Sequence, residues 1–273
     1  METSMLAVEN LSKTYHTVGA FFGRDQHRVT AVHEVSFVIR PGEAFGLVGE
    51  SGSGKSTLAR LIIGLERPTR GRVFISGTDI GTLTQRALRA LRREVQIVFQ
   101  NPYTALDPLM AIGASIEEPL VNFTSLGKTE RQRQVLDLLH DVGLAKRLLH
   151  AYPYQLSGGE RQRACIAKAI ALRPKFLVCD EVVSSLDKSV QVQVLHLLKD
   201  LKQQYGLTYL FISHDLAVVN YLCDRVAVML RGEIVELGGR QEVLFQPAHP
   251  YTQALMASTS YFLKDTAYEK GRT

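Results

Sequence analysis

The sequence predicts an α/β fold in which helices pack on the faces of a sheet. Segments with strand-like and helical patterns alternate for most of the 273 residues, and this alternation is typical of such a fold. The composition, with 45% hydrophobic and 22% charged residues, is that of a globular protein. Length and composition together exclude intrinsic disorder and a miniature fold held together by disulfides.

The N-terminal hundred residues supply the first alternating elements. Two segments near the start have the pattern of an antiparallel pair, and a short buried strand after them ends in a glycine-rich turn. The predicted strands are 6–8, 35–39, 44–48, 73–75 and 95–99, and the predicted helices are 56–65 and 84–93.

The middle of the chain differs from both ends, because residues 101–156 contain no convincing strand. Helical periodicity dominates at 112–123 and 132–142, so we expect an inserted helical subdomain there. The alternation then resumes. The later strands are predicted at 176–179, 209–213 and 225–230, and the later helices at 160–172, 189–205 and 216–222.

Simple sequence features argue against several classes of protein. No apolar run approaches the roughly 18 residues that a membrane-spanning helix needs, and the N-terminus lacks the pattern of a secretory signal. Cys165, Cys179 and Cys223 stand singly in apolar stretches, so we expect buried thiols rather than disulfides or a zinc site. The net charge of +5 is spread along the chain, and its basic clusters at 86–93 and 131–133 contain no aromatic residues, which disfavours a nucleic-acid groove.

A glycine-rich loop follows the predicted strand 44–48. Residues 49–57 match the pattern GxxxxGK[ST] and stand between a strand and a helix, which is the context that this pattern requires. Glycines let backbone N–H groups point at phosphate oxygens, and the helix adds the positive end of its dipole. Lys55 is expected at the β- and γ-phosphates, and the Ser56 hydroxyl is expected to bind Mg²⁺. The predicted nucleotide contacts here are Gly49, Gly52, Ser53, Gly54, Lys55, Ser56 and Thr57.

Two acidic residues end another predicted strand. Asp180 and Glu181 follow the apolar segment 176–179, and a parallel sheet presents its ligand site at the carboxyl ends of its strands. Asp180 can hold Mg²⁺ directly or through water, and Glu181 can orient or deprotonate an attacking water. The loop and the two acids together predict nucleotide hydrolysis.

The segment 156–163, LSGGERQR, resembles the signature of ATP-binding cassette (ABC) ATPases and stands between the helical insert and the acidic strand, where that family carries it. The resemblance implies a P-loop NTPase core of the RecA-like type, with an antiparallel β subdomain and an inserted α-helical subdomain. The implied ABC ATPase domain covers 1–259, with core 1–100 and 159–240 and helical subdomain 101–158, and 241–273 form a C-terminal extension of the oligopeptide and dipeptide transporter type.

The resemblance also implies catalytic and metal-binding roles. Gln100 matches the Q-loop glutamine, which is expected to contact Mg²⁺ or water and to sense the γ-phosphate. His214 matches the switch histidine, which is expected to hydrogen-bond the γ-phosphate. The predicted catalytic residues are Glu181, His214 and Gln100, and the predicted metal ligands are Ser56, Gln100 and Asp180.

Further nucleotide contacts are implied at the signature and elsewhere. Ser157, Gly158 and Gly159 are expected to reach the γ-phosphate of a nucleotide on the opposite subunit. Asp187 matches the D-loop aspartate, and Tyr15 stands where the family places an aromatic residue that stacks on adenine. His16 is adjacent to Tyr15, and an insert at residues 17–28 comes next.

Within the family, the sequence is most similar to ATP-binding subunits of bacterial importers for dipeptides, oligopeptides, nickel and related solutes. The segments that carry this similarity are 100–108, 152–155, 212–216 and 249–255. The last of them, HPYTQAL, resembles the short C-terminal motif of that subfamily, although the usual following proline is absent. No cysteine follows Cys223, so the iron–sulfur cluster that some relatives carry is not expected.

The resemblance therefore implies an ATPase subunit that binds ATP and Mg²⁺ and powers uptake of peptides or a related small solute through ATP-driven dimer closure. The expected partners are integral membrane permease subunits, a second ABC ATPase subunit that is a copy or a paralogue, and indirectly an extracytoplasmic solute-binding protein, with no nucleic acid. The expected location is peripheral, on the cytoplasmic face of the bacterial cell membrane. An exporter cassette and a non-transport ABC ATPase of translation or DNA repair stay open as alternatives.

Overall fold

A computed structural model describes residues 4–17 and 27–263, without the side chains of residues 17, 27 and 259–263. Most of the predicted insert at 17–28 and the end of the predicted C-terminal extension, residues 264–273, lie outside the described residues. The chain divides into two compact units: Met1–Leu88 together with Phe211–Thr273, and Arg89–Leu210. These two units are divided after Leu88 and after Leu210. The subdomain boundaries predicted from the sequence, at residues 100, 158 and 240, are different and stay a prediction.

The first unit contains an antiparallel sheet with the strand order β2-β1-β4-β5. Strand β1 pairs with β2 from Leu6 opposite Ile39, and with β4 from Leu6 opposite Ile75. The register shifts beyond Val8, where Asn10 has a left-handed φ of +46°, so the long strand bends as bulged strands do. The bounds are β1 Leu6–Thr17, β2 His27–Ile39, β4 Arg70–Ile75 and β5 Thr78–Asp79.

A second sheet begins in the first unit, where the strand order is β10-β9-β3-β8. Strands β3 and β9 run parallel, with Phe45 opposite Arg225, and every residue of β3 is buried. The Phe45 ring stacks on Phe37 of β2, with 5.1 Å between ring centroids. The strands are β3 Ala44–Val48, β8 Thr208–Ile212, β9 Arg225–Leu230 and β10 Glu233–Gly239, and the helices are α1 Lys55–Ile62, α2 Gln85–Leu91, α7 Leu216–Leu222, α8 Arg240–Phe245 and α9 Pro250–Leu263. Helix α2 starts in this unit and ends in the second.

The second unit combines parallel strands with most of the long helices. Its strand order is β8-β7-β6, and β6 pairs in parallel with β7 from Val95 opposite Phe176. Strand β8 starts in this unit and ends in the first. The elements are β6 Val95–Val98, α3 Ile112–Phe123, α4 Lys128–Asp141, α5 Gly158–Ile170, β7 Phe176–Asp180 and α6 Lys188–Tyr205.

The predicted α/β class is confirmed, with an antiparallel sheet and a helical region at 101–156 as expected. Strand β3 and helices α3 and α7 begin and end at the predicted residues. The prediction was incomplete at the C-terminus, because β10, α8 and α9 were not foreseen. Strand β10 is half-exposed along most of its length, so it lacks the alternation of apolar and polar residues that reveals a strand.

Cys165, Cys179 and Cys223 are buried, as predicted. Burial raises the pKa of the Cys165 thiol to about 12, against a smaller lowering effect of Lys168, so this thiol stays protonated at neutral pH. Across residues 4–17 and 27–263, the structure contains no helix that is both long and apolar enough to span a bilayer.

Gly113 in α3 is a testable feature of the helical region. A Cβ atom at this position would lie 2.5 Å from Leu149 Cδ1 and 2.8 Å from the Leu149 backbone oxygen. We expect Gly113→Ala to destabilise the protein by about 1 kcal/mol net, because overpacking costs of about 1–3 kcal/mol exceed the gain in helix propensity. The melting temperature, measured by calorimetry, should fall by about 2–4 °C.

Gly127 provides the matched control. It precedes α4 with φ of −66°, and no atom of residues 4–17 and 27–263 lies within 4 Å of the position of its Cβ. Gly127→Ala should change the melting temperature only slightly. If Gly113→Ala melts at the same temperature as Gly127→Ala, the close packing of α3 on Leu149 is contradicted.

Candidate functional site

The glycine-rich loop between β3 and α1 adopts a backbone that only glycine accommodates. Gly49, Gly52 and Gly54 have φ values of +152°, +81° and +107°, in or near regions that other residues rarely occupy. A Cβ at Gly49 would lie 2.2 Å from the Met229 oxygen, and a Cβ at Gly54 would lie 2.2 Å from the Ala31 oxygen. The glycines of the motif are therefore required both by conformation and by space.

Lys55 is the charged centre of this loop. Its residue is only 5% exposed, and its ammonium donates to the Gly49 oxygen at 2.8 Å and the Glu50 oxygen at 2.7 Å, with Ser53 Oγ at 3.4 Å. A buried charge is tolerated only when it is hydrogen-bonded. The carbonyl groups of the loop hold the ammonium in place.

The start of α1 has the chemistry of an anion site. Gly54 is the N-cap residue and supplies no side-chain cap, and the first turn contains no acidic residue. The first N–H groups of a helix lack partners within the helix and carry partial positive charge. Together with the Lys55 ammonium, they form a donor set that fits phosphate oxygens.

Tyr15 lies beside this helix in the first unit. Its hydroxyl donates to Glu66, and Lys13 Nζ lies 5.1 Å from its ring centroid. Burial and the Glu66 carboxylate raise the pKa of Tyr15, while the Thr57 side chain lowers it. The ring is thus held close to predicted site residue Thr57, and a base stacking on it would use the face opposite Lys13.

His214 belongs to the first unit and is exposed. The residue before it, Ser213, donates its N–H to the Leu47 oxygen at 3.2 Å. Because Leu47 lies near the end of β3, the end of β8 lies beside the strand that leads into the loop. The structure therefore brings Tyr15, the loop residues 49–57 and His214 to one unit.

The second unit brings Gln100 and Glu181 together. Gln100 Nε2 donates to Glu181 Oε2 at 2.9 Å and lies 3.4 Å from Ser184 Oγ. Ser184 Oγ donates in turn to the Glu181 backbone oxygen at 2.9 Å. Glu181 has a left-handed φ of +50°, which costs about 1–2 kcal/mol in a residue with a side chain. Such strain is concentrated at functional sites.

Asp180 is the last residue of β7 and directly precedes the strained Glu181. The predicted metal ligands are the Asp180 carboxylate, the Ser56 hydroxyl and the Gln100 amide oxygen, all of them oxygen donors, which Mg²⁺ prefers. The Gln100 amide nitrogen donates to Glu181, so the amide oxygen is its atom for a cation. The donor chemistry of these residues fits Mg²⁺.

The signature turn forms the N-terminus of α5. Ser157 is the N-cap residue, and its N–H and hydroxyl donate to Glu160 Oε2 at 2.9 and 2.8 Å. These bonds lower the pKa of Glu160 against the opposing effect of partial burial. A Cβ at Gly159 would lie 2.4 Å from Val190 Cγ1, so this turn needs glycine to pack on α6.

The predicted D-loop residue also caps a helix. Asp187 is the N-cap residue of α6 and accepts hydrogen bonds from Val190 N–H at 3.0 Å and Ser189 Oγ at 2.7 Å. The same donors lower the pKa of Asp187. Gly158 faces Leu186, whose Cδ2 would lie 3.7 Å from a Cβ there. The signature turn and the D-loop therefore pack side by side in the second unit.

Sequence reasoning did not single out Ser184, Glu160 and Glu66 as partners of site residues. Only the contact of Glu160 with Ser157 could have been predicted from the sequence, because these two residues have the spacing of a capping box. Ser184 and Glu66 contact Gln100 and Tyr15 over 84 and 51 residues of sequence, and no local pattern indicates such contacts.

Known proteins resemble this chain in sequence and in fold. A family model described as ABC transporter matches residues 32–184. The chain is 49% identical over 258 residues to the probable peptide ABC transporter ATP-binding protein y4tS of Sinorhizobium fredii, covering 94% of this chain and 73% of the relative. It is 46% identical over 254 residues to the glutathione import ATP-binding protein GsiA of Escherichia coli K12, covering 93% of this chain but only 41% of GsiA.

A solved structure shares the fold over most of the chain. It is described as the dimeric structure of a post-hydrolysis state of the ATP-binding cassette MJ0796 bound to ADP and Pi. The TM-score is 0.77 at 30% sequence identity, and the match covers 86% of this chain and 99% of the other.

The fit of Gly54 against Ala31 gives a direct test of the loop. We expect Gly54→Ala to weaken binding of a fluorescent ATP analogue more than tenfold, because the new Cβ would clash with the Ala31 oxygen at 2.2 Å and strain a backbone at φ +107°. The dissociation constant is measured by fluorescence titration, with the melting temperature recorded to verify folding.

Gly52→Ala is the control for backbone strain alone. Its φ is +81°, but no atom in the described part of the chain lies within 4 Å of the position of its Cβ, so we expect a smaller loss than for Gly54→Ala. Equal affinity of wild-type protein and Gly54→Ala would contradict the loop geometry.

Proposed function

Because this chain belongs to the ABC transporter family and is an ATPase of that family, we propose that it powers uptake of peptides or peptide-like solutes. Within the structure, the observation that supports the coupling of ATP hydrolysis to uptake is the hydrogen bond of Gln100 to Glu181 at 2.9 Å. It joins the start of the helical region to the acid at the end of β7. Movement of the helical region can thereby be coupled to the position of a catalytic carboxylate.

The proposed reaction is hydrolysis of ATP to ADP and phosphate. Lys55 and the first N–H groups of α1 neutralise the phosphate charge, and His214 hydrogen-bonds the γ-phosphate. Glu181 orients the attacking water or accepts its proton. Ser56, Gln100 and Asp180 would hold Mg²⁺, which supplies charge neutralisation at the phosphates.

We assign stacking on the adenine base to Tyr15, and the second contact with the γ-phosphate to the signature turn. Ser157, Gly158 and Gly159 would bind the γ-phosphate of a nucleotide on a second cassette, with Asp187 beside them. ATP then closes the pair of cassettes, and hydrolysis removes the bridging charge and reopens it. The second cassette is a copy of this chain or a paralogue.

The helical region offers a surface for membrane permease subunits. Leu109, Tyr103 and Val121 are 87%, 56% and 53% exposed, although large apolar side chains are usually covered. The Arg161 guanidinium lies 4.8 Å from the Tyr103 ring centroid, which links this surface to the helix that carries the signature turn. A subunit bound there would place the chain peripherally at the cytoplasmic face of the membrane.

The substrate class follows from the relatives, one named for peptides and one for glutathione, itself a small peptide. Selectivity would lie in the permease and in an extracytoplasmic solute-binding protein. The proposal favours import over export and over a role in translation or DNA repair.

The role of Glu181 is tested with Glu181→Gln. We expect single-turnover hydrolysis to fall at least 100-fold, because the amide cannot accept the proton of the attacking water. Binding of ATP should stay within about twofold of wild type. Radiolabelled phosphate release in a single turnover provides the measurement.

Glu9→Gln is the matched carboxylate-to-amide control. Glu9 forms a surface ion pair with Arg72, and its side chain is 49% exposed, so this change should leave hydrolysis unaltered. Unchanged single-turnover rates in Glu181→Gln would remove Glu181 from the proposed role.

Import is tested with the chain co-expressed with candidate permease genes and purified in membranes. We expect it to co-purify with integral membrane subunits and to support ATP-dependent uptake of labelled peptides. Gln100→Ala should reduce uptake by at least tenfold while ATP binding falls less than threefold, because Gln100 links the helical region to Glu181. Co-purification with ribosomes or DNA would overturn the transport role, and equal losses of uptake and binding would overturn the role of Gln100.

A further inference from the structure

A contact between the C-terminal helix and the phosphate loop lies outside the predicted site. The backbone N–H of Glu50 donates to the Tyr251 hydroxyl at 3.3 Å, across 201 residues of sequence. Glu50 is the second residue of the loop, and Tyr251 lies in the first turn of α9. Both residues belong to the first unit.

The peptide group between Gly49 and Glu50 takes part in two hydrogen bonds. Its carbonyl oxygen accepts from Lys55 Nζ at 2.8 Å, and its N–H donates to Tyr251. Lys55, one peptide group and the tyrosine hydroxyl therefore form a continuous chain of hydrogen bonds. Bonds arranged in such a chain polarise and strengthen one another.

This peptide group needs support from outside the loop. Gly49 has no side chain to restrict its backbone, and its φ of +152° is open mainly to glycine. The loop is also held at Ser53, whose backbone carbonyl oxygen accepts a hydrogen bond from the Gly232 N–H at 2.9 Å. Tyr251 supplies the corresponding tie at the other end, next to the carbonyl groups that hold Lys55.

A carboxylate on β10 holds the start of α9 in place. Glu236 accepts hydrogen bonds from the N–H groups of Ala248 at 2.8 Å and His249 at 3.1 Å. The Tyr251 N–H donates to His249 Nδ1 at 3.1 Å. Acceptors for unpaired N–H groups, and negative charge, stabilise the start of a helix. The start of the helix that carries Tyr251 is thus held by β10.

We propose that Tyr251 is a positioning residue for nucleotide binding, which fixes the Gly49–Glu50 peptide and through it the Lys55 ammonium. This inference rests on the proposed binding of ATP at the loop. It gives the C-terminal segment 249–255 a physical role: the segment sets the affinity of the loop for the phosphate chain. Contacts of the protein with the base and the ribose of the nucleotide do not depend on Tyr251.

The test is Tyr251→Phe, which removes one oxygen atom. We expect the dissociation constant of trinitrophenyl-ATP and the KM for ATP to rise about three- to tenfold, the range for loss of one hydrogen bond. Turnover at saturating ATP should stay within twofold. The affinity for trinitrophenyl-AMP, which lacks the β- and γ-phosphates, should not change.

A double-mutant cycle separates positioning from general stabilisation. In a Lys55→Ala background, Tyr251→Phe should cause no further loss of trinitrophenyl-ATP affinity, because its effect passes through Lys55. Glu236→Ala, which removes the support of α9, should reproduce the ATP-selective loss. Ser258→Ala is the control on the same helix, since its hydroxyl donates within the helix to the Leu255 oxygen, and it should leave both affinities unchanged.

The inference is overturned if Tyr251→Phe binds trinitrophenyl-ATP as wild type does, if it loses ATP and AMP affinity equally, or if its effect is undiminished in Lys55→Ala. Failure of the ATP binding on which the inference rests would look different, because the wild-type protein itself would then neither bind nor hydrolyse ATP.

Discussion

The burial of one ammonium group governs the geometry of the phosphate loop. Lys55 is held by the carbonyl groups of Gly49 and Glu50, and those carbonyls can converge on it only because the loop backbone takes conformations that need glycine. The Met229 and Ala31 oxygens approach so closely that side chains at Gly49 and Gly54 would collide with them. Neighbouring strands, and not the loop alone, therefore fix the shape of the anion site.

The second unit is organised by short polar contacts at helix and strand ends. Gln100 ties Glu181 and Ser184 together, and Ser157 and Asp187 cap the helices that follow them. In each case a side chain satisfies backbone groups or a carboxylate that would otherwise lack partners. Residues that we assign to ATP chemistry thus also stand where secondary structure begins or ends, at the end of β7 and at the starts of α5 and α6.

Sequence reasoning succeeded where the local pattern and the fold agree. The buried strand β3 and the amphipathic helix α3 were predicted at their observed bounds, because runs of apolar residues and helical spacing report directly on burial. It failed for β10 and α9, where partial exposure weakens the pattern. It also missed the contacts of Glu66 with Tyr15 and of Tyr251 with Glu50, since each partner is distant along the chain.

The sequence by itself determined the α/β class, the phosphate loop, the acidic strand end and the signature turn, because each is a contiguous segment whose residue types dictate its local backbone. Only the tertiary structure decided which side chains support those segments. The link from Lys55 through one peptide group to Tyr251, and the bond from Gln100 to Glu181, depend on distances between segments that are remote in sequence. Such distances are set by packing and strand order, which no local pattern of residues encodes.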